Sequence, residues 1–317
     1  MRYRTSLVRA AIGAAISVAA IWLVLRSVDV GRAVEIIRTA EISWIGLMAA
    51  FIVVDLAVRA LRWQRLVAPI GRVRYPSMLA YLLVGYLANN VLPARLGELV
   101  RSHYLGDREG LSRTTTLGTV VVERVVDFVV VVAIASAAII VLSVRGIVAS
   151  AVLIGVATAG LLAAAVTVGI AAHRLPGAER IAAAAERWPR IHDMAGKLRG
   201  GLAVAGRPRT LAEALILSVI AWGATVLAFA AAGQAIGVEL TIGQASLLAS
   251  GVALVTAIPA GPANLGTFEL AAVQIGQAVG VPAHTAFALA LVVHAGILVI
   301  TSIGGLVALA RLGWRRG

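Results

Sequence analysis

The sequence contains no cysteine and a single lysine, Lys197. Without thiols, disulfides, thiolate metal sites and cysteine nucleophiles are all excluded. Charge is scarce as well: 14% of residues are charged, and only 15 acids face 28 basic residues. Enzyme signatures are missing. There is no His-x-x-x-His pair, no Gly-x-Ser-x-Gly, no Walker sequence and no nucleotide-binding fingerprint on a strand. The expectation is therefore a protein without a catalytic motif, cofactor or metal. With one lysine and no soluble domain, ATP-driven transport within this chain is not expected either.

What is present is apolar. Over 317 residues the chain is 60% hydrophobic with a mean hydropathy of +0.95, outside the range of a water-soluble domain of this length. No stretch alternates with the period of a membrane barrel, whereas several runs reach the about 20 residues a spanning helix needs. The fold class is all-α: a polytopic helical membrane protein. A net charge of +13 would suggest nucleic acid in a soluble chain. Here the arginines sit at the ends of apolar runs, where they anchor helices and meet anionic lipid phosphates. Membrane lipids, anionic ones above all, are the expected partners and nucleic acid is not.

Arg2, Arg4 and Arg9 precede a run ending at Leu25, but Arg26-Ser27-Val28-Asp29 offers no small-x-small cleavage site, so an uncleaved first helix is expected over about Ser6 to Leu25. The second span, about Ile42 to Leu61, contains Asp55 and Arg59 one turn apart, able to pair. It ends in the basic series Arg59, Arg62, Arg65, Arg72 and Arg74. From Ser77 to Leu92 the chain is apolar for only about 16 residues, short of a crossing. Further spans cover Thr114 to Leu142, Ile147 to Ala172, Leu211 to Ile236 and Ala286 to Leu309. A weakly apolar run, Ser246 to Ile258, stops at Pro259, Gly261 and Pro262. The link from His173 to Arg209 is basic, and its Ala-rich part around Ile181 to Glu186 suggests a helix on the membrane surface.

The two interrupted stretches are related. Pro93-Ala94-Arg95-Leu96-Gly97 with Glu98, and Pro262-Ala263-Asn264-Leu265-Gly266 with Glu269, share Pro-Ala-x-Leu-Gly, and Ser77-Met78-Leu79-Ala80 matches Ser246-Leu247-Leu248-Ala249 at the same offset. If both are re-entrant hairpins, the positive-inside rule places every basic link and both termini in the cytoplasm. The expected architecture is a single transmembrane domain, 1–317, with six full spans and two hairpins. Two inverted repeats cover about 6–142 and 147–311, with a cytoplasmic basic link at 173–209; eight full spans are the alternative. Localisation in the plasma (inner) membrane is expected.

Irregular backbone at membrane depth persists only where it lines a cavity or is buried in protein. Pro93 and Gly97, and Pro259, Pro262 and Gly266, break the helices. Each second half-helix then begins near the midplane with unpaired amides and its positive dipole end inward, with Asn264 able to cap one of them. Two such starts with Arg95 make an anion site, and phosphate is the commonest lipid anion. Arg95, Glu98, Arg101, Asn90, Asn264 and Glu269 are the candidate substrate residues. Asp55, Arg59, Arg62, Glu123, Arg124 and Asp127 form a supporting charged network. Glu98, Glu269, Glu123 and Asp127 are candidates to neutralise Arg95, to bind a headgroup amine or sugar, or to carry a proton. A structural reading stands beside each: Glu98 paired with Arg101, Asp55 with Arg59, Glu123 or Asp127 with a distant arginine. On the same reading Arg59, Arg62 and Trp63 are an interfacial anchor, and His294 is a packing or hydrogen-bonded histidine without a partner at ligand spacing.

At Arg59-Ala-Leu-Arg62-Trp63, Asn90-Val-Leu-Pro93-Ala-Arg95-Leu-Gly97-Glu98-Leu-Val-Arg101, Glu123-Arg124-Val-Val-Asp127 and Pro259 through Glu269, the chain resembles the membrane-embedded part of the lysylphosphatidylglycerol synthase/flippase family. The resemblance implies movement of a phosphate-bearing lipid across the bilayer: a phospholipid, an aminoacylated phospholipid or a polyprenyl-phosphate-linked lipid. No soluble aminoacyltransferase domain is expected, so lysyl transfer is not implied, and Pro262-Ala263-Asn264 stands where a Gly-Gly pair is expected before Leu265. Two alternatives remain: a non-transporting membrane subunit presenting lipid to a partner glycosyltransferase or synthase, and a membrane-embedded lipid transferase using Glu98 or Asp127 as base.

Overall fold

In a computed structural model, residues 2–92, 96–171, 189–258 and 261–314 are described, with side chains for 15–92, 96–168, 196–258 and 261–313. These residues form twelve α-helices and no strand. The helices are α1 (Arg2–Ser27), α2 (Val30–Arg38), α3 (Ile42–Val67), α4 (Tyr75–Val91), α5 (Gly97–Glu109) and α6 (Arg113–Leu142), then α7 (Ile147–Ala171), α8 (Pro189–Leu202), α9 (Pro208–Ala235), α10 (Ile242–Thr256), α11 (Thr267–Ala278) and α12 (Ala283–Trp314). The protein is a polytopic helical membrane protein. Among the described residues α3, α6, α7, α9 and α12 are long and apolar enough to cross a bilayer, and α1 is 26 residues long.

Local sequence explains the starts and stops. Asp29 caps α2 by accepting from Arg32 N–H at 3.1 Å. Ser112 accepts from Thr115 N–H to begin α6. Thr241 and Gln244 form a reciprocal capping box at α10. The Ile181 to Glu186 surface helix and the first part of the basic link, 173–188, lie outside the described residues. The helix α8 follows in that link.

The arms of the two interrupted segments have 17 and 13 residues (α4, α5) and 15 and 12 residues (α10, α11). All four fall short of a single crossing. Within each pair the arms run antiparallel. A Cβ on Gly97 would come within 2.0 Å of Gly85 O and 2.6 Å of Asn89 Oδ1, while Tyr81 at the far end donates to Glu109 Oε1 at 2.8 Å. Gln244 Nε2 likewise reaches back to Val279 O at 3.0 Å, and Gly251 packs on Ile275. These are helical hairpins, and they enter the bundle from opposite ends. Both ends of α4–α5 lie beside the ends of α3 and α12: Gln64 donates to Val73 O at 2.8 Å and Arg108 to Leu312 O at 2.7 Å. Both ends of α10–α11 lie beside the end of α6: a Cβ on Gly243 would come within 3.1 Å of Leu142, and Gln244 is tied to Val279.

The packing of the two halves is paired. The most extensive helix contact joins α3 to α9, the second long helix of each half. These run antiparallel, with Asp55 opposite Thr225, Arg59 opposite Trp222 and Arg62 opposite Ser218. Around that axis α4 packs on α12 as α10 packs on α6, and α3 packs on α4 as α9 packs on α10. The short turn Pro262–Asn264 at the second hairpin's tip touches α4, so the two hairpins meet inside the bundle.

Candidate functional site: a buried ionic cluster beside a central cavity

Three helices present polar side chains at helical spacing on facing stripes. On α3 these are Asp55, Arg59, Arg62 and Trp63; on α6, Thr119, Glu123 and Asp127; on α9, Ser218, Trp222 and Thr225. Arg62 is at the centre, 0% exposed. Its guanidinium donates to both oxygens of Asp127, with Nη2 2.9 Å from Oδ2. It also reaches Glu123 Oε1 at 2.9 Å and Ser218 Oγ at 2.6 Å. Asp127 further accepts from Arg59 at 3.3 Å and from the Trp222 indole at 3.0 Å. Arg59 forks onto Asp55 at 2.7 and 2.9 Å, and Thr225 donates to the same carboxylate at 3.3 Å. Cation–π contacts complete the packing: Arg59 lies 4.8 Å over Trp222 and Arg101 4.6 Å over Trp63.

The first hairpin closes the cluster from the side. Arg101, 1% exposed, sits 3.0 Å from Glu123 Oε2. The contact is off hydrogen-bond alignment, so it is a charge pair rather than a hydrogen bond. Arg124 lies 3.2 Å from Glu98. Four arginines thus face four carboxylates. Such a set is costly to place in a membrane unless internally neutral, and it is neutral here.

Arg59, Arg62 and Trp63 are not an interfacial anchor: α3 continues to Val67, and the carboxylates of α6 hold both arginines inside the bundle. Glu98 does not pair with Arg101, because Glu123 takes Arg101 and leaves Glu98 to Arg124. The expected Asp55–Arg59 pair is present. Gly97 N–H, expected to be free, donates to Asn89 Oδ1 at 2.7 Å. Asn90 spends its amide on Thr301 and Ser302 of α12 at 2.9 and 3.0 Å, so it fastens the hairpin. Pro93, Arg95 and Pro259 lie outside the described residues.

At the second hairpin, Asn264 does not cap α11. It and Ala263 both adopt φ of 56°, and the cap comes from Glu269, which accepts from Gly266 N–H at 2.7 Å. Gly266 itself has φ of 83° and packs on Ser17 O, where a Cβ would come within 2.7 Å. The other oxygen of Glu269 meets His294 Nδ1 at 2.6 Å, so His294 does have a partner, on a different helix.

A cavity of about 300 Å³ separates the ionic cluster from the second hairpin. Asp55, Arg59, Tyr86, Arg124, Asp127, Trp222 and Thr225 are its polar lining. Phe229, Val252, Phe268 and Val293 are among its apolar lining. The α9 residues escaped the sequence reading, although Ser218, Trp222 and Thr225 recur at helical spacing in an otherwise apolar helix. Among the described residues no group of His, Asp and Glu is arranged to hold a metal ion.

The fold and this site define a polytopic helical membrane protein in which two helical hairpins meet beside a charged cavity. The sequence pattern of the family described as "Lysylphosphatidylglycerol synthase TM region" matches residues 10–305, nearly the whole chain, and the protein belongs to that family. It is also similar to the glycosyltransferase AglD of Haloferax volcanii, at 22% identity over 135 residues. That match takes in 42% of this chain and 22% of the length of AglD.

Proposed function

We propose that the protein moves a phosphate-bearing lipid across the plasma membrane, with the headgroup passing through the central cavity. The observation that carries this reading is the cavity's mixed lining: paired arginines and carboxylates together with aromatic and aliphatic side chains. A headgroup with its first acyl or prenyl carbons needs both kinds of surface, and the volume suits a small headgroup. Arg124 is the arginine best placed to take a phosphate. It holds Glu98 through one 3.2 Å contact, its Nε has no hydrogen-bond partner, and it lines the cavity. Arg59, forked onto Asp55, supplies a second positive charge in the same lining.

The opposed hairpins and the pairwise packing of the halves support an inverted repeat, with each hairpin re-entrant from one face of the membrane. With both termini cytoplasmic, every basic link then falls on the cytoplasmic side. Rocking of one half against the other about the α3–α9 contact would expose the cavity to each side in turn.

The test is headgroup transfer in vesicles of purified protein. Protein-dependent loss of headgroup asymmetry, reduced by Arg124→Gln and partly retained by Arg124→Lys, supports transport. Asymmetry unchanged for phospholipid, aminoacylated phospholipid and polyprenyl-phosphate lipids alike contradicts it. The likeness to a glycosyltransferase favours one second reading, a membrane subunit that presents its lipid to such an enzyme. Stable co-purification of a glycosyltransferase with no headgroup transfer would select it.

A further inference from the structure

The second hairpin carries a titratable pair that the ionic cluster does not use. His294 on α12 places Nδ1 2.6 Å from Glu269 Oε1 and Nε2 2.9 Å from the carbonyl oxygen of Ala263. A backbone carbonyl only accepts, so the Nε2 contact requires a proton on Nε2. The Nδ1 contact then requires a second proton, carried either by Nδ1 or by Glu269. Without that proton a nitrogen lone pair would face a carboxylate oxygen at 2.6 Å, and the pair would have to separate or the tautomer reverse. Reversal puts the Nε2 lone pair against Ala263 O instead. Either way the grip on the tip is lost.

That grip holds an unusual backbone. Ala263 and Asn264 are non-glycine residues in the left-handed region, a conformation that persists only when its surroundings enforce it. Glu269 also holds Gly266 N–H at 2.7 Å, and Gly261 N–H donates to Ser17 Oγ at 3.1 Å, so α1 is covered by the same tip. Phe268 stacks on His294 at 4.2 Å and lines the central cavity, which connects the pair to the cavity wall.

We infer that His294 and Glu269 form a proton-binding site whose occupancy holds the second hairpin's tip closed beside the cavity, and whose deprotonation releases it. The surrounding elements leave the pair its own electrostatic unit. The helix α10 has no titratable side chain, α11 none but Glu269, and α12 none within two turns of His294. On α1 the described charged side chain is Arg26, beyond Ser17 and Ile21 that touch the tip. Across the cavity, α4 contributes Tyr86, α3 Asp55 and Arg59, and α6 Arg124 and Asp127. On α2, Arg32 and Glu35 border His284 at the remote start of α12. Proton binding goes beyond the lipid assignment, and its test reads the tip rather than transport.

The absence of native cysteine makes that test direct. Ser17→Cys places one thiol beneath the tip in the full chain, and Thr39→Cys, exposed on the surface, corrects for thiolate formation. Modification of Ser17→Cys by a small water-soluble thiol reagent in nanodiscs, relative to Thr39→Cys, should rise roughly tenfold or more from pH 5 to pH 9, the effect of losing a charge-assisted hydrogen bond. In Glu269→Gln the amide can donate to Nδ1 while its oxygen still accepts from Gly266 N–H. This variant mimics the protonated pair, and its relative rate should stay low at every pH. His294→Phe keeps the ring stack but not the hydrogen bonds, and should be fast at every pH. A flat parent profile, or a pH step surviving in Glu269→Gln, overturns the inference. Nitrogen NMR of histidine-labelled protein without Ser17→Cys gives an independent check. The resonance missing in His294→Phe should show Nε2 protonated at low pH, whichever of Nδ1 and Glu269 holds the second proton; an Nε2 without a proton there overturns the inference as well.

Discussion

Removing Arg62 should destabilise the protein in a way that a second, specific substitution reverses. In Arg62→Met, four carboxylates face three arginines in the cluster, and Asp127 and Glu123 each lose a contact of 2.9 Å. At an effective dielectric of about 20, each such contact represents roughly 6 kcal/mol of Coulomb energy before desolvation. Breaking a buried pair from one side costs about 3–5 kcal/mol net, because a charge is left behind. Asp127→Asn on top of Arg62→Met restores neutrality while leaving Arg59–Asp55, Arg101–Glu123 and Arg124–Glu98 intact. The double variant should therefore lie within about 1–2 kcal/mol of the parent, well above either single substitution. Denaturant unfolding of the purified protein in lipid nanodiscs measures all four corners of this cycle. Additive losses, or a double variant no more stable than Arg62→Met, would refute the idea that charge balance holds the cluster together.

Two further outcomes follow from the geometry. Gly97→Ala places a methyl group 2.0 Å from Gly85 O, so the arms of the first hairpin must part; a loss of about 1–3 kcal/mol or more is expected by the same unfolding assay, whereas Gly46→Ala, with open space around it, should be nearly silent. For the topology, Arg207→Cys in intact cells should be protected from impermeant thiol reagents while Thr39→Cys is labelled; labelling of Arg207→Cys would place the basic link outside.

The general architecture was legible because its cues are local. Runs of about 20 apolar residues marked the spans, and Pro93, Gly97, Pro262 and Gly266 marked the breaks, since proline and glycine act on backbone whatever their neighbours. Asp55 with Arg59 was readable for the same reason, being one turn apart on a single helix. Partner choice between helices was not. Whether Arg101 meets Glu98 or Glu123 depends on how α5 lies against α6, and nothing in a linear sequence states that angle. His294 looked isolated because its partner is 25 residues away on another helix. Arg59 and Arg62 looked interfacial because arginines at the end of an apolar run usually are. What overrides that tendency is the pair of carboxylates on α6, with Trp222 on α9 closing over Arg59.

The proposal as a whole depends on a lipid headgroup entering the cavity. A phospholipid carrying a photoreactive group beside its phosphate, cross-linked to the purified protein and mapped by mass spectrometry, tests this directly. The cross-links should fall on cavity residues such as Trp222, Phe229 and Phe268, compete with unlabelled lipid, and diminish in Arg124→Gln. Cross-links confined to the outward faces of α7 and α9, unchanged by Arg124→Gln, would contradict it.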